Sequence, residues 1–245
     1  MAAFRRMTTG IPKELASIVS VIEEDIIFRR LAPGQRLVED ALMARFSATR
    51  HTIRQALGEL ERIGIVTRER NIGAAVRSYS QEEVLEIYQV RELLQRQAAL
   101  MIRLPAPRVL IDQLETLNEQ FARDGARGDL RGVHESNDAF HLALFGACGN
   151  KYLVRCIADF MALSLPVRAK SLADAESFQS SLCQHETMIR LLRDADNWAL
   201  AQLCVEHVWP SKHDYLERTG SPVAASPPAD HSALSSVPGR RPGRR

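Results

Sequence analysis

The stretch FSATRHTIRQAL, residues 46–57, decides how the rest of the chain is read. Ser47-Ala48-Thr49 interrupts one helical pattern and opens another, and Thr49 is placed to N-cap the second. Ile53, Ala56, Leu57, Leu60 and Ile63 then share one helix face. The opposite face near the helix start carries Arg50, His51, Thr52, Arg54 and Gln55. Gly64 stands where a helix C-terminus favours a left-handed residue. Upstream, Pro33-Gly34 marks a turn. Leu37, Ala41, Leu42 and Phe46 follow at helical spacing and predict a short preceding helix. Downstream, Ile65-Val66-Thr67, a polar turn through Arg70, Asn71 and Gly73, and Ala74-Ala75-Val76 predict a small β-hairpin.

Two helices joined by a tight turn and followed by a basic hairpin form a winged helix-turn-helix. The chemistry at the start of the second helix suits DNA. Arg pairs with guanine O6 and N7, Gln with adenine, and Thr with a phosphate or a thymine methyl. Thr49, Arg50, His51, Thr52, Arg54, Gln55, Arg70, Asn71 and Gly73 are therefore the expected DNA-contacting residues. The alternative is an ordinary helical hairpin with a solvated basic face.

The run PGQRLVEDALMARFSATRHTIRQALGELERIGIVTRERNIGAAV resembles the DNA-binding domain of GntR-type bacterial transcription regulators. The resemblance spans Pro-Gly, the Leu-Ala-like helix, Thr-Arg, Ile-Arg, Ala-Leu and the hairpin Gly. It departs at Ser47-Ala48, where the turn lacks Gly, and at Thr52, where Pro is frequent. Asp40 stands where some members carry a DNA-contacting Arg. These departures bear on which operator is read.

The chain has 245 residues, 45% hydrophobic and 25% charged, and a net charge of only +2 that is unevenly spread. Residues 1–78 hold 13 Lys/Arg against 9 Asp/Glu, residues 79–219 hold 15 against 20, and residues 220–245 hold 4 against 1. A basic front and an acidic middle fit a DNA-binding head on a body that stays off DNA. The expected division is 1–78 for the head, 79–219 for a helical body and 220–245 for a disordered basic tail rich in Pro, Ser and Ala. Cys148, Cys156, Cys183 and Cys204 form no CxxC pair, so they are expected to be buried thiols in a reducing cytosol. No apolar run reaches membrane-span length and no signal peptide is visible, so the protein is expected in the cytoplasm.

Helical periodicity dominates, so the fold class is mostly α. The first helix of the head is expected over Ile11–Arg30. Ser80 with Glu83 forms a capping box that opens the body. Six body helices are predicted: Gln81 to about Met101, Arg108 to Phe121 or beyond, Asp129 to Cys148, Tyr152 to Leu165, Ser177 to Leu192, and Asn197 to Leu216 with a kink at Pro210. An antiparallel bundle follows.

Three body histidines stand among apolar residues: His141 in SNDAFHLALF, His185 in LCQHETMIRLL and His207 in LCVEHVW. Asn137 precedes His141 by one helical turn and shares its face. From spacing alone they read either as hydrogen-bonded core histidines or as ligands of a divalent metal. Residues 81–216 resemble the all-helical FCD domain of FadR-like GntR regulators, on the pieces IYQVRELLQRQAALMI, NDAFHLALFGACGN and the QHE-to-EHV pair. That resemblance implies a divalent metal, Zn, Ni or similar, at Asn137, His141, His185 and His207, and a small carboxylate effector beside it. It also implies Arg91, and more weakly Arg168, as effector-binding residues. Arg91 read by itself could equally be a surface or interhelical ion pair, and His134, three residues before Asn137, is expected either near the pocket mouth or, in preference, in a surface role.

The function expected is a homodimeric, ligand-responsive regulator, more often a repressor, on a short palindromic operator. The alternatives are a constitutive DNA-binding dimer and a metal-dependent enzyme. The last lacks an HExxH-type motif, and Glu186 and Glu206 should face away from the histidines.

Overall fold

A computed structural model describes residues 12–28, 30–69 and 73–220. The expected hairpin contacts Arg70 and Asn71 and the tail from residue 221 lie outside the described residues.

The N-terminal part is built as its sequence dictates. Helix α1 (Lys13–Ile27) buries Leu15, Ile18, Val19, Ile22 and Ile26. Helix α2 (Glu39–Phe46) ends at Ser47, whose φ of 52° makes the turn without glycine. Helix α3 (Arg50–Ile63) is N-capped by Thr49, whose side chain accepts from Thr52 N, and it ends on Gly64 at φ 89°. Glycine suits this position: the backbone is left-handed, and a Cβ would meet Leu163 Cδ1 at 2.8 Å and force that side chain to shift. Ile53, Ala56, Leu57, Leu60 and Ile63 are buried as expected.

The hairpin is one strand larger than the sequence reading. Strands β2 (Val66–Glu69) and β3 (Gly73–Val76) pair antiparallel, and β1 (Arg36–Leu37) adds to the free edge of β3, giving the order β1-β3-β2. Leu37, read as the first residue of a helical stripe, instead belongs to β1 opposite Ala74. A two-residue strand buries one side chain, so it leaves no period-2 pattern to read.

The rest is helical. Helix α4 (Gln81–Leu100) starts at the Ser80–Glu83 capping box. It is followed by α5 (Arg108–Ala126), α6 (Leu130–Gly146), α7 (Lys151–Leu163), α8 (Leu165–Ala173), α9 (Ala175–Arg193), α10 (Asn197–Glu206) and α11 (Trp209–Gly220). Among the described residues these are eight helices, not six. Helix α8 opens with Pro166 as its second residue, and Pro210 occupies the same place in α11. A first-turn N–H has no helical partner, so proline starts a helix there instead of ending one. The expected continuous helix from Asn197 to Leu216 therefore breaks at His207-Val208.

Helices α5 and α6 pack on each other, α10 lies along α4, and α9 lies along α5. The main core joins Leu114, Phe140, Leu144, Phe145, Met188 and Leu200. Cys148 and Cys204 are buried thiols, as expected, whereas Cys156 and Cys183 are exposed. Burial pushes the Cys204 thiol up to about 12.

The two parts meet at Tyr79. Its hydroxyl lies 2.7 Å from Leu163 O and 3.1 Å from Gly64 O, and its backbone oxygen accepts from Tyr215 Oη at 3.0 Å. Burial of this phenol raises its pKa to about 12. Helix α1 also packs on α8, and Arg131 of α6 forms an ion pair with Glu24.

Candidate functional site

At the start of α3 the polar side chains stand clear of the core. Thr49, Arg50, His51, Arg54 and Gln55 are exposed and Thr52 is half-buried. Two of them are held by the N-terminus of α2. Arg50 Nη2 lies 2.5 Å from Asp40 Oδ1, and Arg54 Nε lies 3.0 Å from Glu39 Oε1. Gly73 opens β3 on the exposed side of the hairpin.

The second cluster is buried among α4, α6, α8, α9 and α10. His141 projects from α6, His185 from α9, and His207 caps the C-terminus of α10. Their ring nitrogens converge: His141 Nε2 is 3.0 Å from His207 Nε2 and 3.3 Å from His185 Nε2. All three sites lie within 4.8 Å of one another. The rings are seated by aromatics, with Phe140 stacked on His185 at 4.0 Å and Phe145 stacked on His141 at 6.0 Å between centroids.

Two amides fix the tautomers. His185 Nδ1 donates to Asn118 Oδ1 at 3.1 Å, and His207 Nδ1 donates to Gln184 Oε1 at 2.6 Å. An amide oxygen only accepts, so the proton of each neutral ring sits on Nδ1 and its Nε2 offers a lone pair. Burial holds the rings neutral. It lowers His207 to about 4, with help from Arg91, and pushes His141 and His185 well below the usual range, with help from the other histidines. His141, whose Nδ1 is buried without a partner, either donates from Nε2 to one of the other two Nε2 atoms or joins them in offering a lone pair to a cation. The 3.0 and 3.3 Å separations compare with an edge of about 3.3 Å for a tetrahedron of nitrogens roughly 2.0–2.1 Å from zinc. The donor set therefore fits a divalent metal.

A cavity opens beside His141 and His207. Its empty volume is about 490 Å³, including its opening to solvent, and Arg91, Gln95, Asn137, Met161, Arg168, Ser181, Val208, Pro210 and Ser211 complete its wall. The structure thus brings Asn137, two of the three histidines and both candidate arginines to one space. Asn137 Oδ1 is buried without a hydrogen-bond partner.

The two arginines differ. Arg168 is tied in two-pronged fashion to Asp138, with Nη1 to Oδ1 at 2.7 Å and Nη2 to Oδ2 at 2.8 Å. Arg91 is only 6% exposed, yet its Nε and Nη1 have no hydrogen-bond partner. It lies over the Tyr88 ring at 5.0 Å. With the Gln95 amide oriented to satisfy both ends, its oxygen accepts from Arg91 Nη2 at 3.2 Å. Burial lowers the Arg91 pKa, and the neighbouring Arg168 adds to that. Among the described residues no carboxylate forms an ion pair with Arg91, so it is neither the surface residue nor the interhelical salt bridge of its alternative reading. His134 is buried, not at the surface.

Sequence reasoning missed Asn118, Gln184 and Asp138. Asn118 had a signal: it interrupts the buried stripe Ile111, Leu114, Asn118, Phe121 on α5. Gln184 and Asp138 adjoin residues already singled out, but adjacency along a helix does not say which neighbour each side chain will meet.

Comparison with known proteins agrees with this architecture. Residues 16–76 match the family of bacterial regulatory proteins, gntR family, and residues 86–209 match the FCD domain. The chain is a GntR-family transcriptional regulator with an FCD domain. It is 24% identical over 187 residues to the Nta operon transcriptional regulator of Aminobacter aminovorans, covering 76% of this chain and 86% of that protein. It is 23% identical over 198 residues to the HTH-type transcriptional repressor GlaR of Escherichia coli K12, covering 76% and 89%. The solved structure of E. coli McbR/YncC shares its fold with a TM-score of 0.69 at 16% identity, over 85% of this chain and all of that one. This GntR regulator binds DNA, and its family and relatives are transcriptional regulators, not enzymes. Among its described residues no helix is long and apolar enough to cross a membrane.

Proposed function

We propose that this GntR regulator is a cytoplasmic, homodimeric repressor released from its operator by a small organic acid bound beside a metal in the FCD cavity. The observation that carries this reading is the convergence of three imidazole Nε2 atoms, two of whose rings line the cavity, beside a buried guanidinium that has no ion pair. The guanidinium is costly to bury empty-handed: an uncompensated buried charge costs several kcal/mol. Such an arrangement persists where a ligand supplies the missing partner.

His141, His185 and His207 would hold the metal, with the buried oxygen of Asn137 facing the same cavity. Bound there, a divalent ion supplies Lewis acidity and positive charge. Arg91 orients the carboxylate of the acid. Asn118 and Gln184 hold two imidazoles in the ligating tautomer. On the operator, Thr49, Arg50, His51, Thr52, Arg54 and Gln55 of α3 enter the major groove, and the hairpin with Arg70, Asn71 and Gly73 reaches the adjacent backbone. One such helix reads too few base pairs for genomic specificity, which calls for two copies on a palindrome. The Tyr79 junction, tied to both parts of the chain, carries the change in cavity occupancy to α3. Release requires that the acid bind the DNA-free arrangement more tightly than the DNA-bound one.

The test is operator binding by the zinc-loaded protein, read by fluorescence anisotropy, with and without a panel of organic acids. One class of acid should weaken binding, and Arg91→Gln should abolish that response while zinc still binds. Operator affinity indifferent to every acid would favour a constitutive DNA-binding dimer.

A further inference from the structure

We infer that the corner between α7 and α8, from Met161 to Arg168, is the lever that carries cavity occupancy to α3, with Arg168 as its pin. The inference rests on the reading of the cavity as an effector site, and adds the route by which that site acts on the DNA-binding head.

The corner has two faces. Met161 and Arg168 line the cavity. Ala162 packs against the core of the head, and Leu163 Cδ1 stands so close to Gly64 that a Cβ there would meet it at 2.8 Å. Gly64 closes α3, the helix assigned to the major groove. The Tyr79 hydroxyl bridges the same two residues, 2.7 Å from Leu163 O and 3.1 Å from Gly64 O. Beyond the corner, α1 packs on α8. The cavity wall at Met161 and the seat of α3 at Leu163 therefore lie within one helical turn.

A lever must be stiff. Ser164 is the single residue between the two helices, and it is fully buried. Its hydroxyl lies 2.8 Å from Phe160 O and 3.1 Å from Met161 O. Arg168 Nε donates to Met161 O at 3.3 Å, and both terminal nitrogens hold Asp138 of α6. Arg168 thus joins the two helices of the corner and ties them to a third. With all three nitrogens engaged it is a positioning residue, and the anion is left to Arg91. Close-packed interiors do not deform continuously, so an occupant that shifts Met161 or Arg168 by a fraction of an ångström moves Leu163 with it.

The experiment uses the full zinc-loaded chain and reads operator affinity by fluorescence anisotropy, without acid and with acetate, succinate or citrate as probes. Leu163 is half-buried, and phenylalanine keeps the shape of Tyr79, so Leu163→Ala and Tyr79→Phe should both fold. Each should keep the thermal stabilisation given by an acid, while the acid-induced drop in operator affinity shrinks to about a fifth or less. A merely structural contact would lower the melting temperature and leave that drop unchanged. This result would overturn the inference and leave the effector reading intact. A ligand-free arm separates the two. Met161→Phe adds bulk at the cavity wall and should weaken operator binding about fivefold or more without acid, and adding Leu163→Ala should restore it to within about twofold. If no acid acts on the unmodified chain, the effector reading fails and this pair still decides. Operator affinity unmoved by Met161→Phe, or lowered equally with and without Leu163→Ala, overturns the inference. If the phenyl ring prevents folding, Met161→Leu takes its place, read by hydrogen exchange at the amides of Gly64 and Ile65, which close α3 on Leu60 O. Unchanged exchange there overturns the inference equally.

Discussion

The chain carries two groups of arginines that are built in opposite ways. At the start of α3, Arg50 and Arg54 are 52% and 57% exposed, and both lean on the carboxylates of Glu39 and Asp40. In the FCD cavity, Arg168 is 7% exposed with a two-pronged carboxylate, and Arg91 is buried with none. In water an ion pair contributes little and exchanges readily, so the outer arginines can trade a carboxylate for a phosphate or a base at small cost. In the interior the same trade is expensive, because every unpaired charge bears its full desolvation penalty. The outer group is suited to a polyanion met at high local charge and sensitive to salt. The inner group is suited to a small anion that brings the buried guanidinium the acceptor it lacks.

The largest effect that could break this contrast lies at the histidines. His185→Ala removes one of three converging nitrogens and should lower zinc affinity by more than the roughly 10–100-fold expected of an outer partner. Asn118→Ala, which only releases the Nδ1 tautomer of His185, should fall within that 10–100-fold range. Competition against a chromophoric chelator measures both. Unchanged zinc affinity in His185→Ala would reduce the triad to packed core imidazoles, and unchanged affinity in Asn118→Ala would mean that the Asn118 bond does not set the ligating tautomer.

Much of this organisation was legible in the sequence, and the exceptions have physical reasons. The capping residues Thr49, Gly64 and Ser80 announce their helix ends because each satisfies backbone groups a few residues away. The histidines announced themselves as polar groups at apolar positions. What stayed hidden depends on contacts across the chain: Asp138 finding Arg168 thirty residues later, Asn118 finding His185 sixty-seven residues later. Helix α8 stayed hidden because Pro166 looked like an end when it was a beginning. Strand β1 stayed hidden because its only reason to be extended is the edge of β3.

An intermediate effect tests where the two regions touch. Glu23 of α1 is 2% exposed, and neither carboxylate oxygen has a hydrogen-bond partner. Burial raises its pKa well above the usual value, and Asp138 raises it further, against Arg131 and Arg168, which lower it. A carboxyl whose folded pKa exceeds its unfolded one stabilises the fold only while it keeps its proton. Stability is therefore lost as pH rises from the ordinary carboxyl range through the raised value. Glu23→Gln removes that slope. Chemical denaturation should find the variant more stable at pH 8, by about 1–3 kcal/mol, with the advantage shrinking toward pH 4. An advantage independent of pH would mean that Glu23 is not held protonated against Asp138.

The smallest effect belongs to Asp40, and it sharpens the outer half of the contrast. Asp40 is 73% exposed and lies 2.5 Å from Arg50. Exposed pairs contribute about 0.2–1 kcal/mol, so Asp40→Asn should leave thermal stability almost unchanged. Its effect on DNA is different in kind. The carboxylate is a competitor for Arg50 and a like charge to phosphate. Its loss should strengthen binding to unrelated duplex more than to the operator, and should leave the difference between operator and unrelated DNA smaller. Anisotropy titrations on both duplexes across a salt series measure this. Equal strengthening on both would make Asp40 a general electrostatic brake. Weakening on the operator alone would make it the residue that aims Arg50 at its base, and the exposed pair would then serve orientation as strictly as the buried one.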